Sequence, residues 1–561
     1  MSTELETERP PAGWKPMIFI GLGVAIIIMD ATIVNVILPH IIKDLGINSV
    51  DAEWINAVYS LTFAAFLIVM GRLGDRFGRR KIFVYGSALF GFSSVLAANA
   101  PNGTLLIAAR ALQGIGGAMM SPTSLSLVNT LYRGKSRAMA FALYGSIIGG
   151  MAAVGPLVGG WLTQTFSWHW AFWINVPISI IIAVGAIRFV PESKAEGDVG
   201  TPDYLGAVAS TLGTATLIFG LIEGRNYGWW KVSETKSFLG ITWNQISPVP
   251  VALTISVIAF VTLFVTSQHR KQRNKVALID FELFRIKTFG IGSFAGLIVS
   301  LGEFGILFSL PLYLQNALGW STLGSAGLLA VLAVGAFIAA PTAAKLVNRR
   351  GSRYVTQVGL AFELIGILGI AFVASSQTSG LSIAFNLFIY GLGVGFATSQ
   401  LTGLILVDVP VEKSGQASGT QSTARQIGAA MGTAILGTVL FTHLEKYAYE
   451  QFAKVIAYTT APVSDNALHS VAHAVQQSAG TIIPTLQNQF ANVNGRFDVS
   501  IGPDMATAAR DAFGQAVQMT ALVAALFVFL GLLATFALPN NRPTNNPTEP
   551  DQSKLIQSFE E

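Results

Sequence analysis

Cysteine is absent from the 561-residue sequence, which excludes disulfide bonds, thiol nucleophiles and cysteine-ligated zinc sites. Charged residues are scarce as well, at 12% of the chain. The sequence shows no phosphate-binding glycine-rich loop with a lysine and no nucleophile–base set. Its six histidines fall in predicted loops, without the partners that a metal site requires. We therefore expect no enzymatic activity, no cofactor and no metal.

Apolar residues make up most of the chain. Hydrophobic residues account for 52% of it and the mean hydropathy is +0.56, well outside the range of soluble domains. About twenty apolar residues cross a ~30 Å hydrocarbon layer as a helix, and the sequence contains about fourteen apolar runs of roughly this length. These apolar runs predict an all-α integral membrane protein with about fourteen transmembrane helices. The predicted helices are 17–38, 54–73, 82–99, 103–131, 137–163, 170–190, 204–222, 249–267, 288–314, 322–345, 354–374, 382–406, 419–441 and 514–538.

Basic residues collect in the loops after the even-numbered helices, which predicts that these loops and both termini are cytoplasmic. Orientation in a membrane therefore explains the net charge of +5 without invoking nucleic acid. Within the long outer loop, the residue pattern predicts short amphipathic helices. The predicted layout is a tail at 1–16, a six-helix bundle at 17–190, a linker with two inserted helices at 191–275, a second bundle at 276–442 completed by a last helix at 514–538, an extracellular loop at 443–513 and a tail at 539–561.

An internal repeat supports this layout. The segment "LGDRFGRR" (Leu73 to Arg80) is echoed by "LVNRRGSR" (Leu346 to Arg353), with Leu, Arg, Gly and Arg in step. The two copies follow predicted helices 2 and 10. Two six-helix halves with two extra helices between them account for this spacing, and transporters are often built from such repeats.

Five motifs in order resemble the major facilitator superfamily and, within it, the fourteen-helix drug–proton antiporters. "GRLGDRFGRR" is similar to the superfamily signature between helices 2 and 3, "RALQGIGGA" to that of helix 4 and "GGMAAVGPLVGG" to the antiporter signature of helix 5. "DATIVNVILP" and "WHWAFWINVPI" resemble segments of the fourteen-helix branch. The likeness is fainter over 288–442. It implies two six-helix bundles plus two inserted helices, and alternating access to a central cavity.

The motif between helices 2 and 3 contains the acid Asp75 among basic residues. An acid at this place can bond free backbone N–H groups while pairing with an arginine. The resemblance implies that the motif stabilises one of the two access states through contacts with the other half. The alternative is simple anchoring of the arginines at the cytoplasmic face. In the second copy Asn348 replaces the acid, so an equivalent stabilising contact between the halves, or latch, is not expected there. The residues expected to act in the switch are Asp75, Arg72, Arg76, Arg79 and Arg80.

Helix 5 combines small residues with a proline, at Gly155, Pro156 and Gly159. Small residues let helices approach closely, and a proline removes a backbone donor and bends a helix. Tight packing and a pliable gate between the halves are both consistent with this pattern.

Asp30 and Arg110 lie inside otherwise apolar helices, at matching depths of a ~30 Å core. A charge at the centre of a span costs roughly 2.5–3.5 kcal/mol, so both side chains are expected to face an interior cavity and to compensate each other. Gln113, three residues after Arg110, shares its helical face. Two interpretations remain open: a carboxylate that gains and loses a proton, and a permanent ion pair that only holds helices together.

Glu303 and Glu363 are two further acids inside predicted helices, each a candidate for carrying a proton or binding a cationic substrate. Aromatic residues near Glu303 suit organic cations, and buried amides either line a cavity or bond across helices. Asp408 and Arg425, near the inner ends of helices 12 and 13, are candidates for anchoring or a gate pair. The candidates for the substrate cavity are Asn35, Gln113, Phe304, Phe308, Tyr313, Gln315, Asn386 and Gln400.

The sequence thus favours a monomeric, proton-coupled exporter of lipophilic, cationic compounds in a bacterial plasma membrane. Its partners would be protons, a small-molecule substrate and the lipid bilayer. The same fold moving a lipid, a cell-envelope precursor or a nutrient is one alternative. A transport-inactive sensor or assembly partner is another.

Overall fold

The computed structural model describes residues 13–47, 49–194, 201–232, 236–238, 241–243, 245–273, 275–457, 464–489 and 501–539. Long helices account for most of this part of the chain, as the apolar runs predict. A two-residue or longer break separates most of them, and polar side chains cap several N-termini. Asn102, for example, accepts a hydrogen bond from the backbone N–H of Leu105 at 2.9 Å, which satisfies a donor that the helix itself leaves free.

The first half of the molecule is a helical bundle. Helices α2 and α3 join at Gly78, whose φ of +113° favours glycine. The tight turn brings the motif residues at the end of α2 beside the start of α3. The helices of this half are α1 (Lys15–Leu45), α2 (Ser49–Phe77), α3 (Arg79–Ala98), α4 (Gly103–Leu131), α5 (Gly134–Thr165), α6 (Trp170–Trp173) and α7 (Asn175–Phe189).

Two helices, α8 (Tyr204–Tyr227) and α9 (Pro248–Gln272), follow the first half and are called here the inserted pair. They pack on each other, and the Ser256 hydroxyl donates to the Gly213 carbonyl at 2.8 Å. Between them lies an antiparallel hairpin of β1 (Lys236–Phe238) and β2 (Ile241–Trp243).

The second half repeats the bundle. Its helix α10 continues into a π-helical segment at Tyr313–Ala317, and a 3₁₀ segment at Val411–Lys413 precedes α14. The helices are α10 (Lys287–Leu312), α11 (Thr322–Arg350), α12 (Ser352–Val373), α13 (Gly380–Ile405), α14 (Ser414–Ala457), α15 (Asp465–Gln477), α16 (Ile483–Gln489) and α17 (Ile501–Thr535).

Much of the segment 443–513, expected to be an extracellular loop, is helical in the described residues. Helix α14 continues to Ala457, and α17 already begins at Ile501. Both extensions have a buried apolar face at helical spacing, formed in α14 by Leu444, Ala448 and Phe452. Because this face can pack against other helices, α14 and α17 extend beyond the apolar segments predicted to cross the membrane. The residues between them that the structure describes form α15 and α16, which pack against α14 and α17.

Eleven of the described helical segments are long and apolar enough to cross a membrane. Three more helices, α4, α5 and α11, contain 29, 32 and 29 residues and lie outside those eleven segments. That these three also cross remains a prediction from their length. The end of the bundle that carries Asp75 and the basic loops is called the inner end below.

Candidate functional site

The sequence-predicted charges Asp30 and Arg110 meet between α1 and α4. Asp30 is 0% exposed and Arg110 is 1% exposed, and the Arg110 guanidinium forms an ion pair with the Asp30 carboxylate. Arg110 also donates to the Gln113 side-chain oxygen at 2.8 Å and to the Ile55 carbonyl at 3.2 Å. The structure therefore brings together the three residues that the depth and spacing argument selects.

Three residues that the sequence argument missed complete this cluster. The Asn175 amide on α7 donates to Asp30 at 2.7 Å, and the Gln113 amide donates to the Ser94 hydroxyl at 2.7 Å and to Asp30 at 3.3 Å. The Tyr59 ring lies 4.2 Å from the guanidinium carbon of Arg110, a cation–π contact. Asn175 lies about 8 Å from the predicted outer end of its helix, near the depth of Asp30, so the same depth argument applies to it.

These contacts give a buried but fully partnered charge pair. A buried carboxylate is tolerated only when a counter-charge and hydrogen bonds replace water, and Asp30 has both. Adding a proton to Asp30 would leave Arg110 without its counter-charge, so the protonation state of one carboxyl changes the forces among α1, α4 and α7. The cluster can thus stabilise the packing of α1, α4 and α7 while Asp30 is ionised and weaken it when Asp30 is protonated.

Asp75 connects the two halves at the inner end. Its carboxylate is buried and accepts hydrogen bonds from the backbone N–H groups of Gly415 and Gln416, each at 2.9 Å. These are the free donors at the start of α14, where a negative charge is also favoured by the helix dipole. Arg79 pairs with Asp75 at 2.8 Å and donates to the Val411 carbonyl at 2.7 Å.

The remaining arginines of the motif have other partners. Arg80 stays within the first half, where it donates to the Val190 carbonyl at 3.2 Å and lies 3.7 Å from Glu192. Arg76 lies over the Phe77 ring at 5.6 Å, and Arg72 is half-buried beside the same acid, Asp75. Arg79 reaches the second half through its hydrogen bond to the Val411 carbonyl.

The helix 5 motif lies where α5 crosses α1. A Cβ atom at Gly155 would lie 2.8 Å from the Met29 carbonyl oxygen, and one at Gly159 would lie 3.2 Å from that of Ile33. The first distance is too short for a side chain, and at Gly159 a Cβ would also lie 2.5 Å from Ile33 Cγ1, so these glycines permit the close approach. Pro156 sits inside an unbroken α5. Because α5 also packs along α11 of the second half, the motif lies beside a contact between halves.

The second half has its own buried acids. Glu303 on α10 lines a small cavity between α10, α13 and α14, together with Thr398, Gln421 and Arg425. The Thr398 hydroxyl donates to Glu303 at 3.3 Å. Glu363 on α12 is 0% exposed, and neither of its carboxyl oxygens has a hydrogen-bond partner among the described residues. Asp408 accepts a hydrogen bond from Thr288 at 3.0 Å rather than pairing with Arg425.

The aromatic residues expected around Glu303 do not line that cavity. Phe304 points outward and is 42% exposed, and Phe308 packs edge-on against Phe441. The Tyr313 hydroxyl donates to the Ser375 carbonyl at 2.6 Å. These placements correct the sequence prediction, because residues one, five and ten positions along a helix do not share the face of the first.

The predicted amides have mixed positions. Gln113 belongs to the Asp30 cluster. Asn386 donates to the Ser382 carbonyl of its own helix at 2.8 Å and packs against Gly369 of α12, so it is a helix-packing residue rather than a cavity residue. Gln400 is buried on α13, and Gln315 is half-buried in the π-helical segment. The side chain of Asn35 lies outside the described part, as does that of Asn348.

Comparisons with known proteins agree with this architecture. A sequence profile of the Major Facilitator Superfamily matches residues 20–433. The multidrug efflux pump LfrA of Mycolicibacterium smegmatis is 32% identical over 516 residues, covering 91% of this chain and 97% of that protein. The probable actinorhodin transporter of Streptomyces coelicolor is 32% identical, covering 74% and 70%. The human organic anion transporter MFSD10 has a similar fold, with a TM-score of 0.52 at 13% identity over 84% of this chain and 99% of the other.

Proposed function

Because the chain belongs to the Major Facilitator Superfamily, we propose that it is a proton-coupled antiporter that exports lipophilic, cationic compounds from the cell. The relatives named as a multidrug efflux pump and an antibiotic transporter support drug efflux as the coarse function. Proton coupling and the cationic nature of the substrate are inferred from the arrangement of buried charges. The fourteen-helix layout with cytoplasmic termini is part of the same proposal.

The observation that carries the proposal is the buried ion pair of Asp30 with Arg110, joined by Gln113 and Asn175. When the cavity faces the outside, a proton neutralises Asp30 and weakens its hold on Arg110. When it faces the cytoplasm, the proton leaves and the carboxylate attracts the next cation. The membrane potential contributes about 2.3 kcal/mol per elementary charge per 100 mV, so inward proton movement can drive export.

The contacts of Asp75 support the alternating-access part of this cycle. Its carboxylate and Arg79 tie the end of α2 to the start of α14. We propose that this latch stabilises the state in which the inner end is closed. Opening toward the cytoplasm requires that these bonds break together. During this opening, Gly155 and Gly159 of the helix 5 motif allow α5 to slide against α1.

Everted membrane vesicles test the coupling directly. Energised vesicles acidify their lumen, and addition of ethidium should release protons in exchange for dye uptake. Asp30→Asn is expected to abolish this release while the protein remains folded in the membrane, because an amide of the same shape cannot carry a proton. Glu223→Gln is the matched control, since Glu223 is an equally buried acid on the inserted pair.

Two outcomes would contradict the proposal. Undiminished proton release in the Asp30→Asn variant would place the coupling proton elsewhere. No release by the unmodified protein, with ethidium and with a panel of other lipophilic cations, would favour the lipid-exporter or sensor alternatives.

A further inference from the structure

A constant offset in residue number aligns the two halves of the sequence, which assigns counterparts to individual side chains. The repeated segments begin at Leu73 and Leu346, an offset of 273 (346 − 73). The same offset relates Gly78 to Gly351, whose φ values are +113° and +87°. It also relates Gly86 to Gly359, both of which allow close packing against the following helix of their bundle, α4 and α13.

Glu303 is the counterpart of Asp30 under this offset (303 − 30 = 273). Both acids are buried, on the first helix of their half. Asp30 is fully paired with Arg110, whereas Glu303 lines a cavity and accepts a hydrogen bond from Thr398. The second half therefore holds an acid in the position of the proposed proton carrier of the first.

Glu363 has no acidic counterpart. The offset of 273 relates it to Phe90 (363 − 90), a fully buried aromatic residue of the first half. Each of the two packs on a glycine of the neighbouring helix, Phe90 on Gly116 and Glu363 on Gly393. An acid thus occupies the position that a buried aromatic residue holds in the first half, and its carboxyl oxygens lack partners in the described part of the chain.

An ionised carboxylate without hydrogen bonds is very costly to bury, whereas the neutral acid is far less so. The charged and titratable groups near the Glu363 carboxyl are Glu303 on α10, Arg425 on α14 and Tyr390 on α13. Glu303 lies near enough for its negative charge to oppose a second one on Glu363. Helices α11 and α17 also pack against α12, and their charged residues lie toward the ends of these helices. They are Lys345, Arg349 and Arg350 of α11 and Asp504, Arg510 and Asp511 of α17.

We propose that Glu363 carries a proton in this state and that Glu303 and Glu363 form a second proton site, so that the transporter moves about two protons for each compound exported. The first proton binds at Asp30 and the second at this pair. A proton from outside enters through the cavity at Glu303, is held by the pair, and leaves to the cytoplasm when the cavity opens inward. This inference deepens the proposed function and rests on it for the transport step.

Infrared spectroscopy of the purified full-length protein tests the protonation state without any substrate. The neutral acid has a C=O stretch that a carboxylate lacks. The band of a buried neutral acid is expected at neutral pH and should disappear in Glu363→Gln but persist in the Glu223→Gln control. Because the amide mimics the neutral acid, Glu363→Gln should also fold normally. A spectrum unchanged by Glu363→Gln would overturn the assignment.

Proton stoichiometry is measured in proteoliposomes with the membrane potential clamped at zero. The maximal ethidium gradient then scales with the proton number, so each coupled proton contributes about a factor of ten per pH unit imposed. We expect Glu303→Gln and Glu363→Gln to lower this gradient about tenfold per pH unit relative to the unmodified protein. Equal gradients in the unmodified protein and in Glu363→Gln would overturn the second site.

The two proposals fail in different ways. If the unmodified protein shows no proton-driven ethidium gradient, the proposed function fails, and the second site falls as a transport site even where the infrared band is present. If the unmodified protein couples ethidium to protons but both acid variants keep its stoichiometry, only the second site is overturned.

Discussion

Asp30 accepts hydrogen bonds from three side chains that arrive on two other helices. Two of them, Arg110 and Gln113, lie on α4, and the third, Asn175, begins α7. Because the donors lie on two different helices, the Asp30 carboxylate keeps a hydrogen bond from one of them if the other helix moves. Asn175 is therefore a positioning residue of the proposed proton carrier.

Asn175→Ala removes one donor to a buried carboxylate. Hydrogen bonds to charged groups contribute about 1.5–3 kcal/mol, so proton-linked ethidium exchange should slow about tenfold or more. Ser179→Ala is the matched control, because Ser179 lies one turn further along α7 and its buried hydroxyl has no partner in the described part. Proton release in everted vesicles, normalised to folded protein, measures the effect. An unchanged rate per molecule with less folded protein would mean that Asn175 serves packing alone.

Some of the site could be predicted from the sequence because its geometry is local. Gln113 follows Arg110 by three residues and must share its face, and Asp30 matches their depth. The error at Phe304 and Tyr313 came from treating neighbours in sequence as neighbours in space. Their helical phase relative to Glu303 places them on other faces. The partners of Asp75 could not be predicted, because they are backbone groups of a helix more than 300 residues away.

At the scale of elements, the segment 275–286, which joins the inserted pair to α10, contacts the start of α14. The Asp280 carboxylate pairs with Lys413, and the Gln416 amide donates to the Leu278 carbonyl. Asp203, which caps α8, accepts the Leu278 N–H at 3.0 Å. The inserted pair is thus bonded, through residues 278–280, to the same helix end that Asp75 holds. Its helices are well placed to influence the opening of the inner end.

The pair of Asp280 and Lys413 gives a test of this connection. Burial raises the pKa of Asp280, but its hydrogen bonds with Lys413 and the Glu282 N–H outweigh this and hold the pKa below its ordinary value. A lowered pKa means that the tie is intact at neutral pH and is lost as the pH falls through that value. Both side chains are partly exposed, so we expect a modest contribution of about 1 kcal/mol or less.

Asp280→Asn should therefore favour inward opening by up to about fivefold at neutral pH, and by less in acid. The Asp280→Lys, Lys413→Asp double variant should restore the original equilibrium by reversing the pair. Inward opening is read from labelling of Ser418→Cys in α14 by an impermeant maleimide in everted vesicles; the absence of native cysteine removes background. If the double variant labels as strongly as the single variant, the ion pair is not what holds the segment 275–286.

The lengths of α14 and α17 illustrate what the sequence could not fix at this scale. Hydropathy marks where a helix leaves an apolar environment, but not where it ends. Residues 443–457 are polar on one face and apolar on the other, and the apolar face packs on α15. Tertiary contact, rather than local composition, therefore extends the helix.

At the scale of the whole molecule, the two halves are held together at the inner end. Gly71 and Gly415 bring the backbones of α2 and α14 into close contact. Asn129 donates to the Ser414 hydroxyl at 3.0 Å, and Arg137 donates to the Gly403 carbonyl at 3.3 Å. Together with the bonds of Asp75 and Arg79, these contacts close the inner end in this structure. In the proposed cycle, a closed inner end corresponds to the state in which the cavity is accessible from outside.

Neutralising Asp75 should shift this equilibrium strongly. Breaking one partner of a buried ion pair costs about 3–5 kcal/mol, and Asp75→Asn would leave Arg79 buried without its counter-charge and weaken the hold on the Gly415 and Gln416 N–H groups. The bonds to Gly415 and Gln416 cross between the halves and are made when the inner end is closed, so the cost of weakening them falls on that state, whereas Arg79 lies in the same half as Asp75. We expect labelling of Ser418→Cys from the cytoplasmic face to rise at least about tenfold, turnover to fall, and ethidium affinity to change little.

Glu192→Gln is the matched control for Asp75→Asn, because Glu192 also accepts backbone N–H groups at a helix start, those of Arg80 and Lys81, but within the first half. Its loss should lower stability without favouring inward opening, since its bonds do not cross between halves. A lower ethidium affinity in Asp75→Asn with unchanged labelling would show that Asp75 shapes the binding site instead. Equal labelling in both variants would show that helix capping at the inner end, and not the connection between halves, controls the opening.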